Sequence, residues 1–468
     1  MSNVVKNEIL NIDGITRVLE AQDSRAEAYV IDRREGRRHH PDLIVFPEST
    51  AATGDLVQYC LGKGIGIVPQ GGNTGLVGGS LCEPGQVLVS TQRLNRIRNI
   101  SPLDNSMIVE SGCILADIQQ AANQAGRFFP VSLGAEGSCT IGGNISTNAG
   151  GINVLRYGNT RQSVLGLEAV LPDGRIFNGL KSLHKDNTGY DLNQLFIGAE
   201  GTLGIVTAAT LRLWPQPVAS RSVFCGLNHL PDCLELLNLA RRLSGDQVSS
   251  FELIPRIAME AASRHIPGCE SPLDTQFDWH VISQFASASD VINIDDIAGR
   301  FLELAWQQRW IMDAALASSG QQEAHFWKIR EGIVPAQKLE GDSAKHDIAV
   351  PVSRIPELVD SACRAVHKVM PGIRPYPFGH VGDGNLHFNL LQPVAMNVEE
   401  FKRRKPELHD AVYPVVKQLG GSISAEHGIG LFKKSALARY GDAVDLDMQR
   451  RVRASFDPSE ILQRGKLF

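Results

Sequence analysis

Three histidines and a glutamate fall in two short, glycine-flanked stretches of the chain. The first is His380-Val381-Gly382-Asp383-Gly384-Asn385-Leu386-His387 and the second is Ser424-Ala425-Glu426-His427-Gly428. Gly382-Asp383-Gly384 is a turn sequence that can bring both flanking histidines to face one point. His387 and Asn389 then sit two apart on a strand, on the same face, with Phe388 on the other. Two imidazoles and a carboxylate make a three-ligand set that leaves positions open for substrate, as catalytic zinc sites do. Manganese or iron accepts the same donors. A lone histidine is ordinarily a satisfied polar residue of a turn, and the weight here comes from the grouping. Asp383 and Asn385 read as turn formers, because Asp and Asn bond their own backbone.

Two other stretches carry cations with a chemical use. Trp327-Lys328-Ile329-Arg330-Glu331-Gly332-Ile333 ends a long helical stretch, and Lys345-His346-Asp347-Ile348-Ala349-Val350-Pro351 follows it. Arginine grips a carboxylate with two parallel hydrogen bonds, and lysine adds a point charge. From spacing alone both read as solvated surface cations. Glycine supplies a different signal. Of 45 glycines, 25 lie in residues 62–204, 7 in 205–371 and 8 in 372–430. The dense block forms four clusters: Gln70-Gly71-Gly72-Asn73-Thr74-Gly75-Leu76-Val77-Gly78-Gly79-Ser80, then residues 134–144 with Gly137, Gly142, Gly143 and Asn144, then Thr147-Asn148-Ala149-Gly150-Gly151, and Ile197-Gly198-Ala199-Glu200-Gly201-Thr202-Leu203-Gly204. Such loops at strand ends present backbone N–H groups to a pyrophosphate. None has the Gly-x-Gly-x-x-Gly spacing after a first strand, which disfavours a nicotinamide Rossmann fold. One cluster is a tight turn; four in one block point to a large, extended ligand.

These residues need elements to hold them. Residues 41–46 predict a buried strand, then a helix capped by Ser49 or Thr50 and running to about Cys60, then a strand over 64–69 feeding the first glycine loop. Val87–Ser90 and Met107–Glu110 read as strands, and Ile114–Ala125 as a helix. The composition changes near Trp214-Pro215-Gln216-Pro217. Beyond it, Cys233–Leu243 and Ile297–Leu316 carry apolar residues at helical spacing. Val223–Phe224, Trp279–Gln284, His346–Val350 and His387–Leu391 read as strands between them. The expectation is an α+β fold: a glycine-loop domain for a large ligand over 38–217, a second α+β, ferredoxin-like domain over 218–420, and a C-terminal segment, 421–468, returning to the first.

The 468 residues exceed one compact core. A net charge of -5 argues against a nucleic-acid or anionic-membrane surface. No apolar run spans a bilayer, and the first residues resemble neither a signal peptide nor a transit peptide. The eight scattered cysteines form no Cys-x-x-Cys pair, which fits reduced thiols in the cytoplasm.

The glycine loops carry a specific resemblance. Pro69 to Ser80 resembles the first FAD-pyrophosphate loop of flavoenzymes with the vanillyl-alcohol-oxidase-type fold. Gly142-Gly143-Asn144 with Thr147-Asn148-Ala149-Gly150-Gly151 resembles the second, and Lys185-Asp186-Asn187-Thr188-Gly189-Tyr190-Asp191-Leu192 with Ile197 to Ile205 and Val206 completes the pattern. Within that superfamily the wording is most similar to the D-2-hydroxyglutarate dehydrogenase branch, from about residue 40 to the end. The resemblance implies FAD held by Gln70, Gly71, Gly72, Asn73, Thr74, Gly75, Gly78, Gly79, Gly137, Gly142, Gly143, Asn144, Thr147, Asn148, Gly150, Gly151, Glu200, Gly204 and Ile205. Some relatives attach FAD through a histidine where this chain has Asn73, so non-covalent FAD is expected here, with Cys139 as the nearby alternative.

The same resemblance implies a divalent metal, expected to be zinc, on His380, His387 and Glu426. Asn389 would touch the substrate and His427 would act as base. Arg330 and Lys345 match carboxylate-binding positions. Two departures stand out: Val334 replaces a substrate-contacting threonine, and Gln463-Arg464 replaces Asn-Pro near a chain end expected to tolerate change. The implied reaction is oxidation of a D-2-hydroxy acid, foremost D-2-hydroxyglutarate to 2-oxoglutarate, by hydride transfer to flavin N5. Reduced flavin would pass electrons to an electron-transfer flavoprotein or a quinone, and a homodimer is among the expectations. The rivals are a D-lactate, D-malate or other D-2-hydroxy-acid dehydrogenase of the same fold, a flavin-free metal-dependent hydrolase, and a non-catalytic flavoprotein subunit.

Overall fold

The computed structural model describes residues 3–34, 36–274 and 276–468. The chain divides into two compact units. One holds the residues up to Gly150 with Gly158–Gln216 and Glu426–Phe468; the other holds Gly151–Tyr157 with Pro217–Ala425.

The first unit is built on two sheets. Strands Ile15–Leu19, Leu43–Pro47, Gln86–Ser90 and Gly66–Gln70 lie in that order. The last three run parallel, and Ile15–Leu19 is antiparallel to its neighbour. Parallel strands require a crossover, and helix Thr50–Lys63 supplies it between Leu43–Pro47 and Gly66–Gln70, which flank Gln86–Ser90. Ser49 Oγ accepts from the Ala52 amide at its start, and Gly64 ends it in the left-handed region. Leu56, Val57 and Cys60 bury the helix against Val45, Ile67, Val87 and Val89. The second sheet is antiparallel, in the order Ile97–Ser101, Ser106–Glu110, Ile205–Arg212, Val164–Val170, Ile176–Asn178. The last residues of the chain run beside Gly66–Gln70: Ile67 N–H donates to Ile461 O at 2.7 Å, and Gln463 N–H to Ile67 O at 2.9 Å.

The second unit contains a four-stranded antiparallel sheet, Val248–Pro255, Trp279–Ser287, Ala219–Leu227 and Asp313–Leu316 in spatial order. With helices Asp232–Ser244 and Ile294–Gln307 as crossovers, this is the β-α-β-β-α-β ferredoxin-like arrangement. Here the expected helix Ile297–Leu316 is two elements. The helix stops at Gln307 where Arg309 turns left-handed (φ 59), and Asp313–Leu316 leaves it to pair with Ala219–Leu227. A further sheet centres on Asn385–Leu391, flanked by Arg374–Phe378 on one side and by Ser343–Ala344 and Asp347–Ala349 on the other, all antiparallel. Phe326, Ile329, Ile333, Tyr376, Phe378 and Leu391 join both layers in one apolar core. Burying side chains of this size contributes about 1.5–3 kcal/mol each.

Candidate active site

His380 follows strand Arg374–Phe378, and His387 lies on Asn385–Leu391 across from Phe378. The turn between them is a short 3-10 segment ending at Gly384. Asp383 Oδ1 accepts from the Asn385 amide at 3.1 Å, so Asp383 is a turn former as expected from its type. The turn returns the two rings to 5.4 Å between centroids, with ring nitrogens within 4.8 Å of each other.

Beneath His380 lies Glu252, which no motif had marked. Its Oε1 is 2.6 Å from His380 Nδ1, and its Oε2 accepts from Arg330 Nε at 2.7 Å. Glu252 is 1% exposed, Arg330 8% and His380 7%. Burial alone would raise the Glu252 pKa, but the adjacent His380 and Arg330 overcome it and hold the carboxyl well below its ordinary range. The ionised carboxylate only accepts, so Nδ1 of His380 carries the hydrogen. This is the arrangement that orients a metal-binding histidine. Arg330 also lies over the Phe378 ring, 5.1 Å from its centroid. It stands in the middle of helix Gly320–Leu339 and not at its end, and Gly332, Ile333 and Ala336 continue the buried face.

Asp347 pairs with His387 across the sheet, with Asp347 Oδ1 3.8 Å from His387 Nδ1, an ion-pair distance. Asn385 Nδ2 donates to Asp347 Oδ1 at 3.0 Å and to Ile348 O at 2.9 Å, tying two strands together. Asn389 Nδ2 donates to the buried Gln337 Oε1 at 2.9 Å. His346 braces the same strands from the opposite face. Its Nδ1 donates to Phe388 O at 2.9 Å, which leaves Nε2 to accept from His409 Nδ1 at 2.8 Å. Lys345 is half-buried beside His346. Ala425 N–H donates to Asp347 O at 3.3 Å, and at the next residue, Glu426, the chain passes into the first unit with His427 after it.

In the first unit the glycine loops are packed backbone to backbone. A Cβ on Gly72 would strike Ser138 O, and one on Gly71 would strike Thr140 Oγ1. Only glycine allows the approach. Gln70 Oε1 and Thr140 Oγ1 are buried without a hydrogen-bond partner, and buried polar atoms of this kind await a ligand group or water. Glycine backbone, free acceptors and hydroxyls fit a dinucleotide such as FAD. Asn73 is engaged elsewhere: its Nδ2 donates to Ala28 O and Ile31 O, and its Oδ1 accepts from Ser80. What it offers a cofactor is backbone. Thr147 Oγ1 donates to Gly143 O, and Asn148 Oδ1 accepts from Arg161 N–H. Gly151 falls in the second unit, apart from Gly150.

Glu200, expected at the cofactor, is also committed elsewhere. Its Oε1 accepts from the Ile429 amide and its Oε2 from the Gly430 amide, each at 2.7 Å. The C-terminal tail differs most from expectation. Gln463 and Lys466 are buried; Gln463 Nε2 donates to Gly79 O and Glu200 O, and Lys466 Nζ to Gly79 O at 2.7 Å and Gln463 Oε1 at 2.6 Å. A chain end that holds the first glycine loop is not a place that tolerates change freely.

The chain belongs to the FAD-linked oxidase family. Residues 41–179 match the FAD binding domain and residues 216–467 the C-terminal domain of FAD linked oxidases. A D-2-hydroxyglutarate dehydrogenase of Xanthomonas citri pv. viticola is 34% identical over 96% of this chain and 94% of its own. The mitochondrial D-2-hydroxyglutarate dehydrogenase of Danio rerio is 35% identical over 91% of this chain and 78% of its own. The fold matches p-cresol methylhydroxylase, a vanillyl-alcohol-oxidase-type flavoprotein, with a TM-score of 0.75 at 17% identity over 100% and 97% of the two chains. No helix among the described residues is long and apolar enough to cross a membrane.

Proposed function

We propose that this chain oxidises D-2-hydroxyglutarate to 2-oxoglutarate. The observation that carries the reading is the buried Arg330–Glu252–His380 chain, which joins a carboxylate-gripping cation to an oriented imidazole. Bound FAD supplies the two-electron acceptor, held non-covalently by the glycine loops. Burial raises the Cys139 thiol, which argues against a thiolate link. His380, His387 and Glu426 would hold a divalent metal, with zinc the expected ion, and the metal supplies a Lewis acid toward the substrate oxygens. Glu252 fixes the His380 tautomer that such a role needs.

Arg330, with Nε committed to Glu252, keeps its terminal nitrogens for a substrate carboxylate, and Lys345 adds a second positive charge. Asn389, steadied by Gln337, presents its amide oxygen. His427 takes the proton of the C2 hydroxyl as general base. An electron-transfer flavoprotein or a quinone then accepts the electrons. The eight cysteines are free thiols, seven of them buried, which supports a reducing compartment such as the cytoplasm. Val334 supports a second reading, a neighbouring D-2-hydroxy acid such as D-lactate or D-malate, because valine lacks the hydroxyl expected at that position.

Anaerobic flavin bleaching with D-2-hydroxyglutarate, D-lactate and D-malate tests the assignment. Bleaching fastest with D-2-hydroxyglutarate supports it; faster bleaching with D-lactate or D-malate moves the substrate to that acid. A colourless protein unable to bind FAD would remove the reading altogether.

A further inference from the structure

We propose that Glu200 is a positioning residue for His427: it holds the backbone that follows the base, and FAD does not use its carboxylate. This rests on the reading of His427 as general base. Both oxygens of Glu200 are occupied by consecutive amides, Ile429 and Gly430, at 2.7 Å each. Hydrogen bonds from amides to a carboxylate are charge-assisted and directional, so together they fix two successive peptide planes starting two residues after His427. Gly428, between base and clamp, has φ +80, and a Cβ there would lie 2.8 Å from Glu200 Oε1. A side chain at 428 would therefore push His427 and the clamp apart.

The same short segment is stitched to the first glycine loop. Val77 O accepts from Leu431 N–H at 2.8 Å and Phe432 N–H at 3.1 Å, and Gly430 leaves no room for a side chain against Val77. Gln463 holds the other end of the arrangement by donating to the carbonyls of Gly79 and of Glu200 itself. His427 is thus followed by residues 429–432, which are tied to the first glycine cluster through Val77 and to the fourth through the Glu200 side chain. Burial raises the Glu200 pKa, and the two amides, Lys433 and Lys466 pull the other way.

The test compares wild type with Glu200→Gln, which swaps one accepting oxygen for a donor, and with Glu200→Asp, which keeps the charge and shortens the reach. Three measurements are needed on each holoenzyme: FAD affinity after reconstitution, hydrogen exchange of the Ile429 and Gly430 amides, and the anaerobic flavin-reduction rate. The expected result is FAD affinity within a few-fold of wild type, faster exchange at 429–430, and reduction slowed about 10- to 100-fold, the range that a small misplacement of a reacting group produces. On a His427→Ala background, Glu200→Gln is expected to slow reduction little further. Lost FAD affinity with a normal reduction rate in the remaining holoenzyme, or unchanged exchange at both amides, would overturn the proposal. If His427→Ala reduces flavin at the wild-type rate while exchange still rises in Glu200→Gln, the base assignment fails and with it the catalytic purpose of the clamp.

Discussion

Glu252 and His380 share a 2.6 Å hydrogen bond in a site closed to solvent, and the opposite oxygen of Glu252 is bound by Arg330. One carboxylate therefore sets the tautomer of an expected metal ligand and the direction of an expected substrate anchor. Glu252→Gln keeps the shape and removes the charge. Metal affinity is expected to fall about 10- to 100-fold, as it does when a metal-bound histidine loses its partner. Metal content of the dialysed variant, by elemental analysis, checks this; wild-type retention would rule the role out.

The same carboxylate is the countercharge of a buried guanidinium. Glu252→Ala leaves Arg330 uncompensated, and breaking a buried pair in this way costs about 3–5 kcal/mol. Thermal unfolding should show a clear loss for Glu252→Ala and a smaller one for Glu252→Gln, which retains a hydrogen-bond acceptor.

That relationship was hidden in the sequence for a physical reason. Strand Val248–Pro255 is buried at every position, so it has no polar–apolar alternation to mark it. Gln337 and the His346–His409 brace were equally silent, since contacts across 52 and 63 residues leave no local pattern. The opposite holds for the first strands, the Ser49 cap and the Gly382-Asp383-Gly384 turn, where local chemistry decides the outcome. The split of Ile297–Leu316 shows the limit of periodicity: sheet pairing claimed Asp313–Leu316 despite its apolar spacing.

Metal removal separates the two halves of the proposed chemistry. Chelation is expected to abolish flavin bleaching by substrate while the visible spectrum of bound FAD persists, because the FAD loops and the histidine pair are built from different residues. Full bleaching after metal analysis confirms removal would sink the metal assignment.

Lys466 gives a pH prediction for the apoprotein. Burial lowers its pKa from 10.5 to about 7. Between those values the unfolded chain holds a proton that the folded chain lacks, so stability rises with pH across this window. The slope from this one group is at most about 1.4 kcal/mol per pH unit, and the cost of burying the ammonium is greatest below pH 7. Chemical denaturation of apoprotein from pH 7 to 10 measures it against Lys466→Met, in which that contribution is expected to vanish. An unchanged slope in the variant would show that Lys466 titrates normally.

Val334 tests which acid the site prefers. It lies one helical turn beyond Arg330, and positions four apart share a helix face. Val334 is 37% exposed, so a hydroxyl there would not be buried and would be free to meet a second carboxylate of the substrate. Valine and threonine are close in shape, so Val334→Thr tests the hydroxyl with little change in packing. One added hydrogen bond is worth about 0.5–1.5 kcal/mol, or roughly a two- to tenfold gain in kcat/KM. The gain is expected with D-2-hydroxyglutarate and not with D-lactate, which has no distal carboxylate to receive the bond. Equal gains for both acids would mean that Val334 acts on the helix and not on the substrate.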